Sequence, residues 1–332
     1  EYPEGRSLRY SYGTALLKNG DFTLAENQFR ILTEKFPNWG PAWGMLGQSL
    51  YLQSGRVAEA EEAMEKGLLI DNRLEVRQIA ARFFYRRGDR TRAKSQYLQI
   101  VEQFPNDPRA YFLLGTYYHL EGKKDLAREA FEKGIEVDPD HLPNLAAAGD
   151  TYVTGANPTP EGLAKARDYA SRILMKVPGD PQGRLILARA LIAQREIGEA
   201  RRVLDEFLVE FPESVMGRSL LALSMIQTTD PDLDKVRKVL DEILERDPKH
   251  EMANKLLAHV ESQQGLRAIR EGSLEEANRH FQASVNRDPD NLDGRLKLAG
   301  SYLGLSRADP AKLEMAIQEA RRVVKASPDR FE

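Results

Sequence analysis

The side chains that most often carry out chemistry in proteins are scattered along this chain. No glycine-rich phosphate loop, GxSxG or HExxH motif occurs, and the chain contains no cysteine for thiolate or disulfide chemistry. The glutamate pairs Glu61–Glu62 and Glu275–Glu276 are most simply solvated helix faces. We therefore expect no cofactor, no metal site and no enzymatic activity. The five histidines lie apart without metal-ligand spacing, at His119, His141, His250, His259 and His280.

The strongest concentration of charge is a run of seven basic residues from Arg77 to Lys94, opposed by one acid, Asp89. On a helix, Arg82 and Arg86 share one face because they are four residues apart. Guanidinium groups bind carboxylates and phosphates through paired hydrogen bonds. We expect an acidic peptide segment, a terminal carboxylate or an anionic polymer to dock there. The simpler alternative is a solvated turn whose charges have no ligand.

The bulk composition limits the classes of partner. The net charge of −3 gives no general attraction to nucleic acid or to an anionic membrane, and the basic residues form no continuous stripe. No apolar run approaches 18 residues, so membrane insertion is not expected. The absence of cysteine is compatible with the cytoplasm and slightly favours an oxidising periplasm.

These residues belong to a pattern that recurs nine times at a spacing of about 34 residues. Each copy has a helical stretch, a turn marked by glycine or polar residues, a second helical stretch and a stop, usually proline. The clearest copy is YFLLGTYYHLEGKKDLAREAFEKGIEVDP, residues 111–139. In this copy Gly115 predicts a close approach of two helices, Gly122 the end of the first helix, and Asp125 the N-cap of the second.

The same spacing of aromatic residues, leucine, glycine, alanine and proline recurs in the other copies. Over roughly residues 6–330 the chain therefore resembles the tetratricopeptide repeat family. The resemblance implies an all-α fold, a right-handed α-solenoid of about nine helix-turn-helix repeats, of the kind found in long bacterial arrays. It also implies that the first helix of each repeat lines a concave groove. The first copy shows the pattern in Tyr12, Gly13, Leu16, Gly20, Ala25, Phe29 and Pro37.

In this family the ligand usually touches fixed positions of each first helix, which the resemblance carries onto this chain. These positions lie outside the packing positions of the repeat, so their aromatic residues favour recognition over packing. The alternative is that the tyrosines only cover the groove floor. Tyr10 and Thr14 stand where the chaperone-binding subfamily has a Lys–Asn carboxylate clamp, which disfavours that role. The implied groove residues are Tyr10, Thr14, Lys18, Gln48, Tyr51, Gln78, Arg82, Tyr85, Arg86, Arg109, Phe112, Thr116, His119 and Arg189, together with the more aliphatic Leu185, Ile192, Leu223 and Ile226.

The repeat is interrupted at several places. A longer turn, TGANPTPEG, precedes a helix that Thr159 or Pro160 opens. Between Pro248 and Gly265 the extra residues predict one helix of about six turns, which suggests a boundary between a domain at 1–248 and another at 249–332. The closing DRFE resembles the start of a further first helix, so we expect a natural chain that continues beyond residue 332. The stripe on the last complete helix predicts possible self-association at that end; its members are Ala316, Ile317, Ala320, Val323 and Val324.

The leading functional hypothesis is a protein–protein interaction scaffold that binds a peptide or protein segment in its groove. By family analogy, such a scaffold serves as an assembly subunit of an envelope, exopolysaccharide or secretion machine. One alternative is a regulatory or substrate-recruiting array of an enzyme whose catalytic domain lies outside this segment. Another is a self-assembling structural protein that stacks through its C-terminal end.

Overall fold

The computed structural model describes residues 3–154 and 158–327, and these residues contain eighteen α-helices. Eighteen is the number that nine helix-turn-helix repeats require, so the all-α prediction is confirmed. None of these helices is long and apolar enough to cross a membrane. In chain order the helices are α1 (Pro3–Asn19), α2 (Phe22–Lys35), α3 (Gly40–Tyr51), α4 (Val57–Ile70), α5 (Leu74–Arg86), α6 (Arg90–Gln103), α7 (Pro108–Leu120), α8 (Lys124–Val137), α9 (Leu142–Val153), α10 (Pro160–Lys176), α11 (Pro181–Ala193), α12 (Ile197–Glu210), α13 (Val215–Ile226), α14 (Leu233–Arg246), α15 (Glu251–Arg270), α16 (Leu274–Arg287), α17 (Leu292–Leu305) and α18 (Ala311–Ala326).

The chain divides into two compact units, Glu1–Thr151 and Tyr152–Glu332. In the first unit each odd-numbered helix packs against the next even-numbered one, from α1 with α2 to α7 with α8, and the first helices α1, α3 and α5 also adjoin one another. In the second unit α10 packs on α11, and the pairs from α11–α12 to α17–α18 follow the same order. The domain boundary between residues 248 and 249 stays a prediction.

Within the helix pairs, a glycine of the first helix faces an aromatic ring of the second. A Cβ atom built on Gly115 would lie only 2.4 Å from Phe131 Cε1. Gly13 with Phe29 and Gly265 with Phe281 repeat this contact, and those rings are fully buried. The predicted close approach at Gly115 is therefore confirmed. Any side chain larger than hydrogen would push the two helices apart.

The turn inside a repeat needs a left-handed backbone residue after the first helix. Gly122, with φ of +72°, fills that position after α7, as predicted, and four other glycines do the same in their repeats. After α11 the position is held by Arg195, with φ of 64°. An L-residue with a side chain pays a steric cost in this conformation, so this turn is strained where the others are not.

Capping departs from the sequence prediction at one helix and follows it at another. The prediction that Asp125 caps α8 is wrong, because α8 already begins at Lys124 and Asp125 lies inside its first turn. There its carboxylate is 2.5 Å from the guanidinium of Arg128, and a negative charge suits the positive end of the helix dipole. Thr159 caps α10 as predicted, with Pro160 as the first helical residue.

The elongated helix predicted after Pro248 is confirmed as α15, which has 20 residues. It is the longest helix among the described residues. Two predictions fall wholly or partly outside those residues: the centre of the long turn, at 155–157, and the helix start expected from the closing DRFE.

We predict that Gly115→Ala lowers the free energy of unfolding by about 1–3 kcal/mol, because the added methyl group overlaps the ring of Phe131. Gly300→Ala is the matched control, since a Cβ at this exposed position within α17 meets nothing within 4 Å. That change should instead raise stability by roughly 0.5–1 kcal/mol through reduced backbone entropy of the unfolded chain. Urea denaturation followed by circular dichroism measures both, and equal effects at the two sites would contradict this packing model.

Candidate functional site

A cavity of about 560 Å³ lies between the first helices α1, α3 and α5 of the first unit. We call it the groove cavity. It is continuous with the surface on which the sequence placed the ligand. Of the predicted groove residues, eight line it: Tyr10, Thr14, Lys18, Gln48, Tyr51, Gln78, Arg82 and Arg86. The remaining lining residues are Leu17, Met45, Leu52, Glu75, Ile79 and Phe83.

The sequence of α5 explains how one helix serves both the core and the cavity. Its buried residues, among them Ala80, Phe83 and Phe84, fill the core. Gln78, Arg82 and Arg86 recur every fourth position on another face and line the groove cavity. The helix is therefore amphipathic in the ordinary sense, but its polar face looks into a concavity rather than into open solvent.

The tyrosines of the cavity are packed, which corrects the sequence argument that packing does not explain them. The ring centroid of Tyr10 lies 5.1 Å from that of Trp39 and 5.9 Å from that of Phe29. Burial raises the pKa of the Tyr10 hydroxyl, and the nearby carboxylate of Glu75 raises it further. Tyr10 and Tyr51 are half-buried, so the tyrosines form a fixed wall rather than free contact residues.

Two tyrosines also join consecutive repeats through their hydroxyl groups. Tyr51 Oη donates to the carbonyl of Arg86 at 3.2 Å, and Tyr85 Oη donates to the carbonyl of Leu120 at 3.4 Å. Both bonds span 35 residues, so the same link occurs at the same place in two repeats. Each satisfies a carbonyl at the C-terminal end of the next first helix, where intrahelical partners are missing.

The other predicted groove residues lie away from the cavity lining. Phe112 packs 6.0 Å from Phe131 and 6.4 Å from the ring of His141. The hydroxyl of Thr116 donates to its own helix at the carbonyl of Phe112 (2.7 Å), as that of Thr14 does at Tyr10 (2.8 Å). His119 is exposed at the end of α7. Tyr85 packs edge-on against Tyr117.

Arg189 lies in the second unit, with its guanidinium 3.0 Å from Met216 Sδ. The aliphatic groove positions of that unit contribute mainly to its core. Ile192 is buried, while Leu185 and Leu223 pack against the same buried cluster. On α18 the predicted stripe is only partly free: Ile317 and Val324 are exposed, whereas Ala316 and Val323 are buried. Self-association through this end stays a prediction.

The basic run of residues 77–94 separates into paired and unpaired groups. Arg87 and Arg92 both bind the carboxylate of Glu61 on α4, and Arg92 also pairs with Asp89 at 2.6 Å. Arg90 pairs with Glu121 at 2.9 Å. The guanidinium of Arg77 donates hydrogen bonds to glutamine side chains of α6 instead of to a carboxylate, including Gln99 at 2.7 Å. These arginines link neighbouring helices through hydrogen bonds and ion pairs.

Arg82 and Arg86 differ from the rest of the run. Their side chains are exposed in the groove cavity, and across residues 3–154 and 158–327 neither guanidinium makes a hydrogen bond or an ion pair. The same holds for the ammonium of Lys18 on the same cavity wall. One carboxylate, Glu75, lines the cavity as well. The cavity thus carries three cations and one anion that the protein itself leaves without a salt bridge.

The sequence-based set of groove residues does not include Glu75, although the repeat register indicates its position. It occupies the same position of its first helix as Arg109 does one repeat later, because the two are 34 residues apart. The described part of the chain contains no group of three His, Asp or Glu side chains arranged to hold a metal ion. The arrangement supports noncovalent binding of a polar ligand, with arginine, lysine and amide groups as contacts.

Comparison with known proteins decides the family. Models described as tetratricopeptide repeat match residues 10–72 and 80–141, and a further model of that description matches residues 181–206. These ranges contain α2–α4, α6–α8 and α12 in whole or large part, and residues 74–79 of α5 lie between the first two of them. The chain is a tetratricopeptide repeat protein. Of the fourteen residues that line the groove cavity of this tetratricopeptide repeat protein, eleven lie within the first two matched ranges, and Glu75, Gln78 and Ile79 lie between them.

Solved structures share the fold at low sequence identity. The APC/C hetero-tetramer Cut9–Hcn1 matches with 14% identity and a TM-score of 0.54, over 98% of this chain and 74% of that one. A tetratricopeptide repeat protein from Parabacteroides merdae matches with 11% identity and a TM-score of 0.52, over 90% and 99%. Human IFIT1, as a dimer with m7Gppp-AAAA, matches with 15% identity and a TM-score of 0.51, over 86% and 68%. At such identities the likeness concerns the fold alone. No curated protein sequence matches this chain.

The shared carboxylate of Glu61 generates a pH prediction. Burial alone would raise its pKa, but hydrogen bonds from Arg92 and Arg87 outweigh this and hold the pKa below its ordinary value of 4.5. A carboxyl group whose pKa is depressed by folding stabilises the fold above the unfolded pKa. That contribution is lost as pH falls below 4.5 through the folded pKa. Glu61→Gln should therefore be less stable than the wild type at neutral pH, and the difference should shrink under acid.

Thermal unfolding of the two proteins over a pH series measures this difference. Arg87→Gln combined with Arg92→Gln is the matched variant, because it removes the two cations and leaves the carboxylate in place. It should lose this pH-dependent part of the stability and also the part that depends on Asp89, because Arg92 holds the pKa of that carboxyl below its ordinary value as well. A constant difference between Glu61→Gln and the wild type across the series would show that the ion pairs do not contribute.

Proposed function

We propose that this tetratricopeptide repeat protein is a non-enzymatic interaction scaffold that holds a protein or peptide segment in the groove cavity of its first unit. The observation that carries the proposal is that Arg82 and Arg86 line the groove cavity and, among the residues that the structure describes, have no hydrogen-bond or ion-pair partner. Arginines a few residues away are paired with Glu61, Asp89 and Glu121, so the acids needed for pairing are available nearby. The two guanidinium groups in the concavity are left free for an external carboxylate.

The rest of the cavity suits a peptide better than a rigid small molecule. Its floor includes apolar side chains such as Leu17, Met45 and Ile79, which give a ligand side chain apolar surface to cover. Gln48 and Gln78 make no hydrogen bonds within the described part of the chain, and an amide can both donate to and accept from a peptide backbone. A volume of about 560 Å³ accommodates several side chains of a bound segment.

Family membership supports a partner that is a protein. Tetratricopeptide repeat arrays generally mediate protein–protein interactions, and the similar chain of Cut9–Hcn1 is part of a hetero-tetramer. Human IFIT1 was solved with m7Gppp-AAAA, but the present chain has a net charge of −3. Three free cations in one cavity are too few for a nucleic-acid track and are enough for one or two carboxylates.

We predict that a phage-displayed library of random dodecapeptides yields ligands that combine aspartate or glutamate with an aliphatic or aromatic residue. For such a peptide, Arg82→Glu with Arg86→Glu should weaken the dissociation constant by about tenfold or more. Ten-fold corresponds to about 1.4 kcal/mol, which two reversed charge contacts readily supply. Isothermal titration calorimetry with the selected peptide measures the change.

Lys94→Glu is the matched control. Lys94 belongs to the same basic run and is exposed, but it does not line the groove cavity. The variant should keep the wild-type affinity, because it adds the same kind of charge change outside the concavity. Selected peptides that bind the wild type and the Arg82/Arg86 variant equally well would refute the groove as the binding site. So would a selection that yields no binder above background.

A further inference from the structure

The groove cavity is chemically graded along the direction of its helices. The first helices α1, α3 and α5 run parallel, because each is followed by an antiparallel partner, and residues 34 or 68 apart occupy the same level. Lys18 and Arg86 are 68 residues apart and lie in the last turns of α1 and α5. Both cations therefore stand at one edge of the cavity, beside the turns that end these helices.

The opposite edge carries the anion. Glu75 lies in the first turn of α5, while Gln78, Arg82 and Arg86 follow on the same wall. Between the two edges, Tyr10 and Gln78 share a level without a formal charge, and Thr14 shares the next level with Arg82. Along this direction the lining thus changes from one carboxylate, through uncharged groups, to the cations Arg82, Lys18 and Arg86.

The length of this gradient fits a short extended segment. Eleven residues separate Glu75 from Arg86, which at 1.5 Å rise per residue is about 16 Å along the helix axis. An extended chain advances about 3.3 Å per residue, so roughly five ligand residues span the gradient. A segment of that length has distinct ends, and each end meets an opposite kind of charge.

The C-terminal carbonyls of α5 do not bind the guanidinium groups of Arg82 and Arg86. A helix C-terminus exposes carbonyls that attract arginine, but the carbonyl of Arg86 already accepts from Tyr51 and that of Tyr85 from Arg90 Nη1 at 2.5 Å. The ring of Tyr85 also carries the guanidinium of Arg90, at 3.8 Å from its centroid. Arg90 therefore contacts the C-terminal end of α5, and the guanidinium groups of Arg82 and Arg86 line the cavity.

We infer that the groove cavity sets the direction of its ligand by charge. The ligand is an extended segment whose acidic side chains bind at the edge formed by Lys18, Arg82 and Arg86, and whose other end, at Glu75, is basic. The inference rests on the proposed function, since it concerns how the same groove holds a segment. Opposed charges at the two edges reject the reversed placement, because that placement puts like charges together.

The test uses two heptapeptides of identical composition, acetylated and amidated so that their termini are uncharged. One has a lysine at its first position and two glutamates at its end, the other has the reverse order, and both share a Tyr-Leu centre. Since the chain has no cysteine, Ser7→Cys and Asn19→Cys each provide one site for a nitroxide. Both positions are exposed on α1, Ser7 at the level of Glu75 and Asn19 next to Lys18.

The measurement is the paramagnetic loss of peptide proton signals in excess peptide. We expect the nitroxide at residue 19 to remove the glutamate signals of both peptides, and the nitroxide at residue 7 to remove the lysine signals. Glu75→Lys combined with Lys18→Glu, Arg82→Glu and Arg86→Glu reverses the charge of both edges and should exchange the two patterns, whereas Lys94→Glu should leave them unchanged. Loss that follows the N- or C-terminal position irrespective of charge, or that affects both ends equally, would overturn the inference.

A separate result reports on the proposed function. If neither heptapeptide nor any selected dodecapeptide loses signal with either nitroxide, the groove does not hold a segment, and the proposed function fails together with the inference. If the peptides do lose signal near the cavity but without charge-dependent direction, the groove is a peptide site and only the inference about direction is wrong.

Discussion

The contact between a glycine and an aromatic ring inside a helix pair is the constraint on which the other features of this protein depend. Where Gly115 faces Phe131, the missing side chain lets the ring approach to a distance that no Cβ tolerates. Gly13 with Phe29 and Gly265 with Phe281 show that the solution recurs along the chain. In α3 the equivalent glycine, Gly47, approaches the backbone of Ala60 and the side chain of Met64, and in α5 the position is held by buried Ala81. Because a small residue sets the spacing in each of these pairs, residues at equivalent positions fall at equivalent levels on successive first helices. The grading of the groove cavity is a consequence of that register.

A second principle is that arginines paired with a carboxylate of the protein are spatially separated from Arg82 and Arg86, which line the groove cavity. Glu61 receives two arginines that would otherwise face solvent, and it ties α4 to the region of α6 where they lie. Arg82 and Arg86, on the concave side, have no such acid. Surface ion pairs contribute little to stability individually, but their distribution decides which cations are available to a ligand. Among the arginines of the basic run, Arg82 and Arg86 are the two that line the groove cavity.

The sequence determines the repeat architecture unusually well, because the period, the glycines at helix approaches and turns, and the stop signals are all local. Gly115, Gly122 and Thr159 were each placed correctly from spacing alone. The same local rules failed at Asp125, where the helix begins two residues earlier than the capping pattern suggests. Arg195 in a left-handed turn was likewise invisible, since only glycine signals that conformation in a sequence.

The candidate site was predictable in position and less so in chemistry. Register alone puts Tyr10, Gln48 and Arg82 on the groove wall, but it cannot show that Tyr51 bonds to the carbonyl of Arg86 35 residues away. Nor can it show that Arg87 pairs with Glu61 while Arg86 does not, because such pairings depend on the distance between helices. The sequence predicts that the tyrosines are free contact residues and that the seven basic residues act as one group. In the structure the tyrosines pack against neighbouring rings and carbonyls, and the arginines divide into those with a carboxylate partner and those that line the cavity.

The most direct test of the account is the side-chain NMR spectrum of the arginines during titration with a groove-selected acidic peptide. The Nε–Hε signals of Arg82 and Arg86 should shift with peptide concentration and become protected from exchange, because their guanidinium groups gain carboxylate partners. The signals of Arg87 and Arg92, already bound to Glu61, should stay in place. Shifts confined to the paired arginines, or equal across all four, would contradict the claim that the free cations of the groove form the binding site.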